Sequence, residues 1–288
     1  MNDASNENSP PARGGDQAQV RVISVTSGKG GVGKTNAVVN MAIAFARAGK
    51  RCLVLDADLG LGNIDVLLGL APQYNVGHVL RGEKAMSDVV VDGPAGIKIL
   101  PASSGVCELT DLGAGERLAV ISHLESYAAS EGAFDLMLID TAAGISGNVL
   151  FFNAASREII IVVTPEPTAI TDAYALMKVL LGRHGERSFK LIVNCAKTKK
   201  HGLAVYRNIC GAADRFLNVS IDYLGCVLQD ECVPKAVARQ KAVMELFPDS
   251  RASACFREVA AAALEHAPPT GIKGGMQLFW RNVVNKGY

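Results

Sequence analysis

Long apolar runs, paired cysteines and an excess of either charge are all missing from this 288-residue sequence. No apolar stretch approaches the ~18 residues of a membrane-spanning helix. Lys and Arg together number 29 and Asp and Glu 28, for a net charge of +1. So even a balance argues against wholesale wrapping of nucleic acid. Charged residues are only 20% and hydrophobic ones 49%, which excludes a chain disordered throughout. The seven cysteines are odd in number and none is spaced C-x-x-C, while the five histidines are scattered. Neither a disulfide framework nor a zinc site is therefore expected. Cys52, Cys195 and Cys226 lie in apolar runs and read as small buried side chains in a reducing compartment. No basic-then-apolar leader opens the sequence, and a cytoplasmic protein that does not span a membrane is expected.

What is present is a regular alternation. Residues 1–20, rich in Asn, Ser, Pro and Gly, read as a flexible tail. From Arg21 onward, apolar runs recur at Val22–Val25, Cys52–Leu55, Ile97–Leu100, Leu136–Ile139, Ile159–Val163, Leu191–Val193 and Ile221–Leu228. Helical spacing lies between them, at Asn36–Ala48, Glu116–Ser130, Thr171–Leu181 and Ser253–Leu264. Such alternation predicts a doubly wound α/β domain over 21–265, its mostly parallel sheet covered on both faces. A Pro/Gly linker follows at 266–275, then a terminal segment at 276–288.

The most informative stretch runs from Gly28 through Lys29, Gly30, Gly31, Val32, Gly33 and Lys34 to Thr35, with Asn36 opening the helix behind it. It fits G-x-x-x-x-G-K-[ST] between a strand and a helix. Glycines let the backbone curl so that its N–H groups point at phosphate oxygens, and the helix N-terminus adds partial positive charge. Lys34 supplies a charge to the β- and γ-phosphates of ATP, and the Thr35 hydroxyl ligates Mg²⁺. Two acidic strand tips complete the expectation. Asp56 and Asp58 end one apolar run and Asp140 ends another, at the sheet edge where open α/β folds bind ligands. Asp140 and Asp56 are candidates to hold metal-bound water, and Asp58 to orient or deprotonate the attacking water. A loop-capping role is the alternative for Asp56 or Asp58.

Lys29-Gly-Gly-Val-Gly-Lys34-Thr35 resembles the deviant Walker A motif of the MinD/ParA ATPases, whose mark is the extra lysine. The resemblance implies a P-loop NTPase fold, ATP and Mg²⁺ as ligands, and a homodimer formed face to face on ATP. It further implies that Lys29 acts in trans on the partner's phosphates, while Lys34, Thr35, Asp56, Asp58 and Asp140 act in cis. Asn194, after the run Leu191–Val193, matches an asparagine that contacts adenine in related proteins; ending a strand is its alternative. The segments from Asp56 to Gly69, Gly93 to Gly105, Asp140 to Gly144 and Glu166 to Leu180 are similar to the FlhG/FleN group, which controls flagellar number and placement. That implies partners such as an FlhF-type GTPase, flagellar C-ring proteins or a FleQ-type transcription activator. Other readings from the same family are a MinD-type division-site ATPase and a ParA-like carrier on a DNA surface. The Asp16-Gln17-Ala18 tripeptide matches part of a GTPase-activating element, but Arg21 and Val22 stand where that element has Leu and Arg, so no such role is expected.

Three surfaces stand out. On a helical wheel Met276, Phe279, Trp280, Val283 and Val284 span an arc of about 140°, and the flanking charges are all cationic. This terminal helix suits a peripheral contact with the inner membrane face, or packing on its own domain; the linker and the positive flank favour the first. Two such helices on a dimer gain avidity, which ties membrane residence to ATP. The run Lys197–His201 with Arg207 reads as a solvated loop, without the interleaved aromatics of a nucleic-acid surface. The helix Thr171–Leu181 is a candidate protein-docking element, with Asp172 and Lys178 as contacts.

Overall fold

The computed structural model describes residues 20–58, 62–102, 113–130 and 134–265. Eight strands form one sheet: β1 (Arg21–Ser27), β2 (Cys52–Ala57), β3 (Val91–Asp92), β4 (Lys98–Leu100), β5 (Leu136–Ala143), β6 (Glu158–Val163), β7 (Ser188–Ala196) and β8 (Ser220–Leu228). Their order is β3-β4-β2-β5-β1-β6-β7-β8, with every pairing parallel except β3 on β4. The helices among the described residues are α1 (Lys34–Arg47), α2 (Ile64–Leu68), α3 (Val76–Leu80), α4 (Met86–Val89), α5 (Ala114–Ser130), α6 (Gly147–Ala155), α7 (Pro167–His184), α8 (Lys199–Phe216), α9 (Cys232–Val237), α10 (Val243–Leu246) and α11 (Arg251–Glu265).

Each parallel strand is apolar on both sides, so alternate residues enter different cores. Leu136 and Leu138 of β5 face the core built with α1, α10 and α11, whereas Met137 and Ile139 face the one built with α3 to α6. Along β6, Ile160 and Val162 join the first of these, while Ile159, Ile161 and Val163 meet α7 and α8. The sheet is thus covered on both faces, and the doubly wound α/β fold is the one the alternation predicts.

Two polar clusters are buried inside it. Asn153 of α6 accepts from Ser24 Oγ at 2.8 Å and donates to Thr26 Oγ1 at 3.2 Å and to the Val149 carbonyl at 2.7 Å. At the opposite edge from the strand tips, Glu158 binds Arg21 and the Lys190 amine, the latter at 2.6 Å. Arg21 Nη2 also donates to the Ala263 carbonyl at 2.6 Å, tying the start of β1 to the end of α11. Burial alone raises the Glu158 carboxyl, but its hydrogen bonds to Arg21 and Lys190 outweigh that and hold it below the usual range.

Two expectations are corrected. The basic run at Lys197–His201 is largely exposed, as expected, but only Lys197 and Thr198 are loop; Lys199 to His201 open α8. Thr198 accepts from the His201 N–H at 3.0 Å and caps α8, and Lys199 pairs with Glu258 of α11 at 2.7 Å. Cys52 and Cys226 are buried as expected, but Cys195 is exposed and left-handed at φ 56°, because β7 breaks register with β8 there. The expected tail at 1–20, apart from Val20, falls outside the described residues, as do the expected linker at 266–275 and the segment 276–288 expected as a helix, with Met276, Phe279, Trp280, Val283 and Val284.

Candidate nucleotide site

The loop from Gly28 to Gly33 leaves β1, the strand between β5 and β6 at the middle of the sheet, and enters α1 directly. Gly31 and Gly33 have φ of 78° and 85°, backbone that side-chain-bearing residues seldom adopt. Gly33 is the residue before α1, no side chain caps the helix, and its first turn holds no acid. The N–H groups of that turn are therefore available to an anion, and the helix dipole favours one there.

Around this loop the fold gathers most of the residues singled out from sequence. The Lys34 amine, nearly buried, donates to Asp140 Oδ1 at 2.7 Å. Asp140 stands opposite Asp56 in the β2–β5 register, so two carboxylates share one strand-tip level. Asp56 accepts from the backbone N–H groups of Asp58, Asn63 and Ile64 at 3.0–3.2 Å. Burial raises its carboxyl, the Asp140 charge adds to this, and the three N–H groups oppose it; the result is about 7. Gly62 is needed beside it, since a Cβ there would lie 3.2 Å from Asp56 Oδ2 and 2.7 Å from Ala102 Cβ. Asp58 is half-buried one residue past β2, and Thr35 and Asn36 are half-buried in the first turn of α1. Thr35, Asp56 and Asp140 would offer one hydroxyl and two carboxylates, a donor set suited to a hard cation such as Mg²⁺ rather than to zinc or copper. No group of three His, Cys, Asp or Glu with metal-holding geometry occurs among the described residues.

Asn194 comes from the end of β7 and braces the loop. Its amide donates to the Val32 carbonyl at 2.8 Å, and its Oδ1 accepts from the Cys195 N–H at 2.9 Å. Lys29 turns the other way, onto its own chain: its amine meets Glu166 Oε2 at 2.7 Å and Thr168 Oγ1 at 2.9 Å. Sequence reasoning gave no role to Glu166 or Thr168, although both lie in the segment that opens α7. Asp172 is half-buried, and its backbone packs against Gly28. Lys178 is exposed six residues further along α7, about 120° round the helix, so the two do not form one spot.

MinD of Pyrococcus horikoshii, solved with Mg-ADP, superposes at a TM-score of 0.70 with 22% identity, over 85% of this chain and 96% of that one, a likeness of fold. Sheet order and loop together define a P-loop nucleoside-triphosphatase of the doubly wound class. A family described as an AAA domain matches residues 20–184. The antiactivator FleN of Pseudomonas aeruginosa is 41% identical over 94% of this chain and 95% of its own, and the flagellum site-determining protein YlxH of Helicobacter pylori is 29% identical over 93% and 91%. The chain belongs to the MinD/ParA family of ATPases, within its FlhG/FleN group.

Proposed function

We propose that this chain is an ATP-driven switch that restrains the number and placement of flagella. The observation that carries this reading is its likeness, over almost its full length, to a protein named an antiactivator and to one named for determining the flagellar site. Gly28 to Thr35 and Asn36 cradle the phosphates of ATP, with Asn194 beside the base. Lys34 exchanges Asp140 for the β- and γ-phosphates, which frees the Asp140 carboxylate. Thr35, Asp56 and Asp140 hold Mg²⁺, directly or through water, and the ion when bound draws charge off the phosphates. Asp58 orients the attacking water. Two copies close face to face on ATP, each Lys29 reaching the other's nucleotide, and the pair parts after hydrolysis.

The output goes through surfaces beside and beyond the loop. Asp172 and Lys178 on α7 serve as contacts for an FlhF-type GTPase, a C-ring protein or a FleQ-type activator. The helix at 276–288 gives a peripheral membrane contact; no described helix is long and apolar enough to cross a membrane. The domain division follows: a tail at 1–20, the ATPase at 21–265, a linker at 266–275 and a lipid-facing helix. Deleting the gene and counting flagella by electron microscopy tests the reading. More flagella per cell, restored by the wild-type chain but not by Lys34→Ala, is the expected result. Unchanged counts with misplaced division septa refute it in favour of a MinD-type role.

A further inference from the structure

The contact made by Lys29 has a consequence for how the dimer starts. Its backbone carbonyl is held by Ser27 Oγ at 2.9 Å, and its amine is held by Glu166 at 2.7 Å and Thr168 at 2.9 Å. Glu166 is the residue that precedes α7, yet its side chain makes no cap to the helix; the carboxylate is spent on Lys29 instead. Close by, the backbone of Asp172 touches Gly28 so tightly that no Cβ fits between them. The first turns of α7 are therefore seated on the loop at two points, one of backbone and one of charge. A lysine amine bonded to its own helix is not extended toward a second copy of the chain.

We propose that Glu166 and Thr168 are positioning residues, a latch that stores Lys29 in cis and must open before it reaches a partner's nucleotide. The idea rests on the dimer reading above. Both side chains of the ion pair are well exposed, at 38% for Lys29 and 61% for Glu166. Water screens such a pair, so its hold is modest and reversible. A modest hold suits a latch: it biases Lys29 toward the cis position without preventing its transfer, and a trivalent or tetravalent phosphate opposite competes with it easily.

Two measurements on the full chain test this. In the first, without nucleotide, Lys29 and Lys178 are acetylated with acetic anhydride and compared by mass spectrometry. Glu166→Gln and Thr168→Val are expected to raise the Lys29 to Lys178 ratio by about two- to fivefold, the range an exposed pair commands. An unchanged ratio overturns the latch, whatever the dimer does. In the second, sedimentation velocity with a non-hydrolysable ATP analogue follows the protein concentration at half-dimerisation. Glu166→Gln is expected to lower it by about two- to fivefold, and to leave it where it was when Lys29→Ala is also present. A weaker dimer in Glu166→Gln, or a gain that survives without Lys29, overturns the latch. Faster labelling with no dimer in any variant instead overturns the trans role of Lys29 and leaves the latch standing.

Discussion

Replacing Gly28 by alanine puts the meeting of loop and helix under direct stress. A Cβ there would lie 2.2 Å from both the carbonyl carbon and oxygen of Asp172, and 2.7 Å from the Ala173 nitrogen. Ordinary contact begins at 3.4 Å, so the two backbones must part by about 1 Å, and overpacking on that scale costs ~1–3 kcal/mol. The obstructing atoms belong to the main chain of α7, so no side chain can swing aside to relieve them. For a domain of this size each kcal/mol is about 2–4 °C in melting temperature; the variant should fold and melt about 2–12 °C lower. A 1 Å shift of a positioned group costs turnover ~10²-fold, and phosphate release should drop on that order. Gly30→Ala is the stability control: a Cβ at Gly30 meets nothing within 4 Å, and its stability should stay within about 0.5 kcal/mol of the wild type. Thermal melts and a phosphate-release assay on the three proteins decide the matter. A Gly28→Ala protein that melts and turns over like the wild type refutes the close approach.

Other expectations are independent of that one. Glu158→Gln leaves Lys190 and Arg21 facing each other inside the protein and should lower the unfolding free energy by ~3–5 kcal/mol in urea titrations. Because the native Glu158 carboxyl lies below its unfolded value, its stabilisation is full above the unfolded pKa of about 4.3 and is lost as pH falls through the native one. The wild-type urea midpoint should consequently fall more steeply in acid than that of Glu158→Gln; parallel slopes would contradict the pairing. Asn194→Ala releases the Val32 carbonyl, which should cost ~1 kcal/mol and weaken nucleotide binding severalfold by calorimetry. Thr198→Ala removes the cap of α8 and should cost ~1 kcal/mol in urea while leaving nucleotide affinity as it was.

Much of this molecule is legible in its sequence because parallel strands must be apolar on both faces. Each of the apolar runs from Val22–Val25 to Ile221–Leu228 lies wholly or largely within a strand, and the carboxylates at Asp56 and Asp140 end up at matching positions on β2 and β5. The elements that escaped notice lack that pattern. Strand β3 is two residues long, and α6 is buried on nearly every side, Asn148 and Asn153 included, so it shows no apolar stripe of helical period. Helix α8 does carry a buried stripe, Gly202, Val205, Ile209 and Ala213, at helical spacing; what masks its start is the polar opening Lys199-Lys200-His201 behind the Thr198 cap. The cis partners of Lys29 were hidden for a different reason: a contact across 137 residues depends on how β1 and β6 lie side by side, which no local spacing encodes.

The threefold grip of Asn153 on Ser24, Thr26 and Val149 fixes more than a hydrogen-bond count. With two of the polar residues of β1, Ser24 and Thr26, clasped at once, α6 is pinned along the strand like a riveted post. The link from Asp140 to that post passes through Gly144, left-handed at φ 94°, and Ser146. Any rearrangement of this stretch on nucleotide exchange should therefore pivot between two anchored ends, and a spin-label pair bridging α6 and β1 should report a constant separation throughout the cycle.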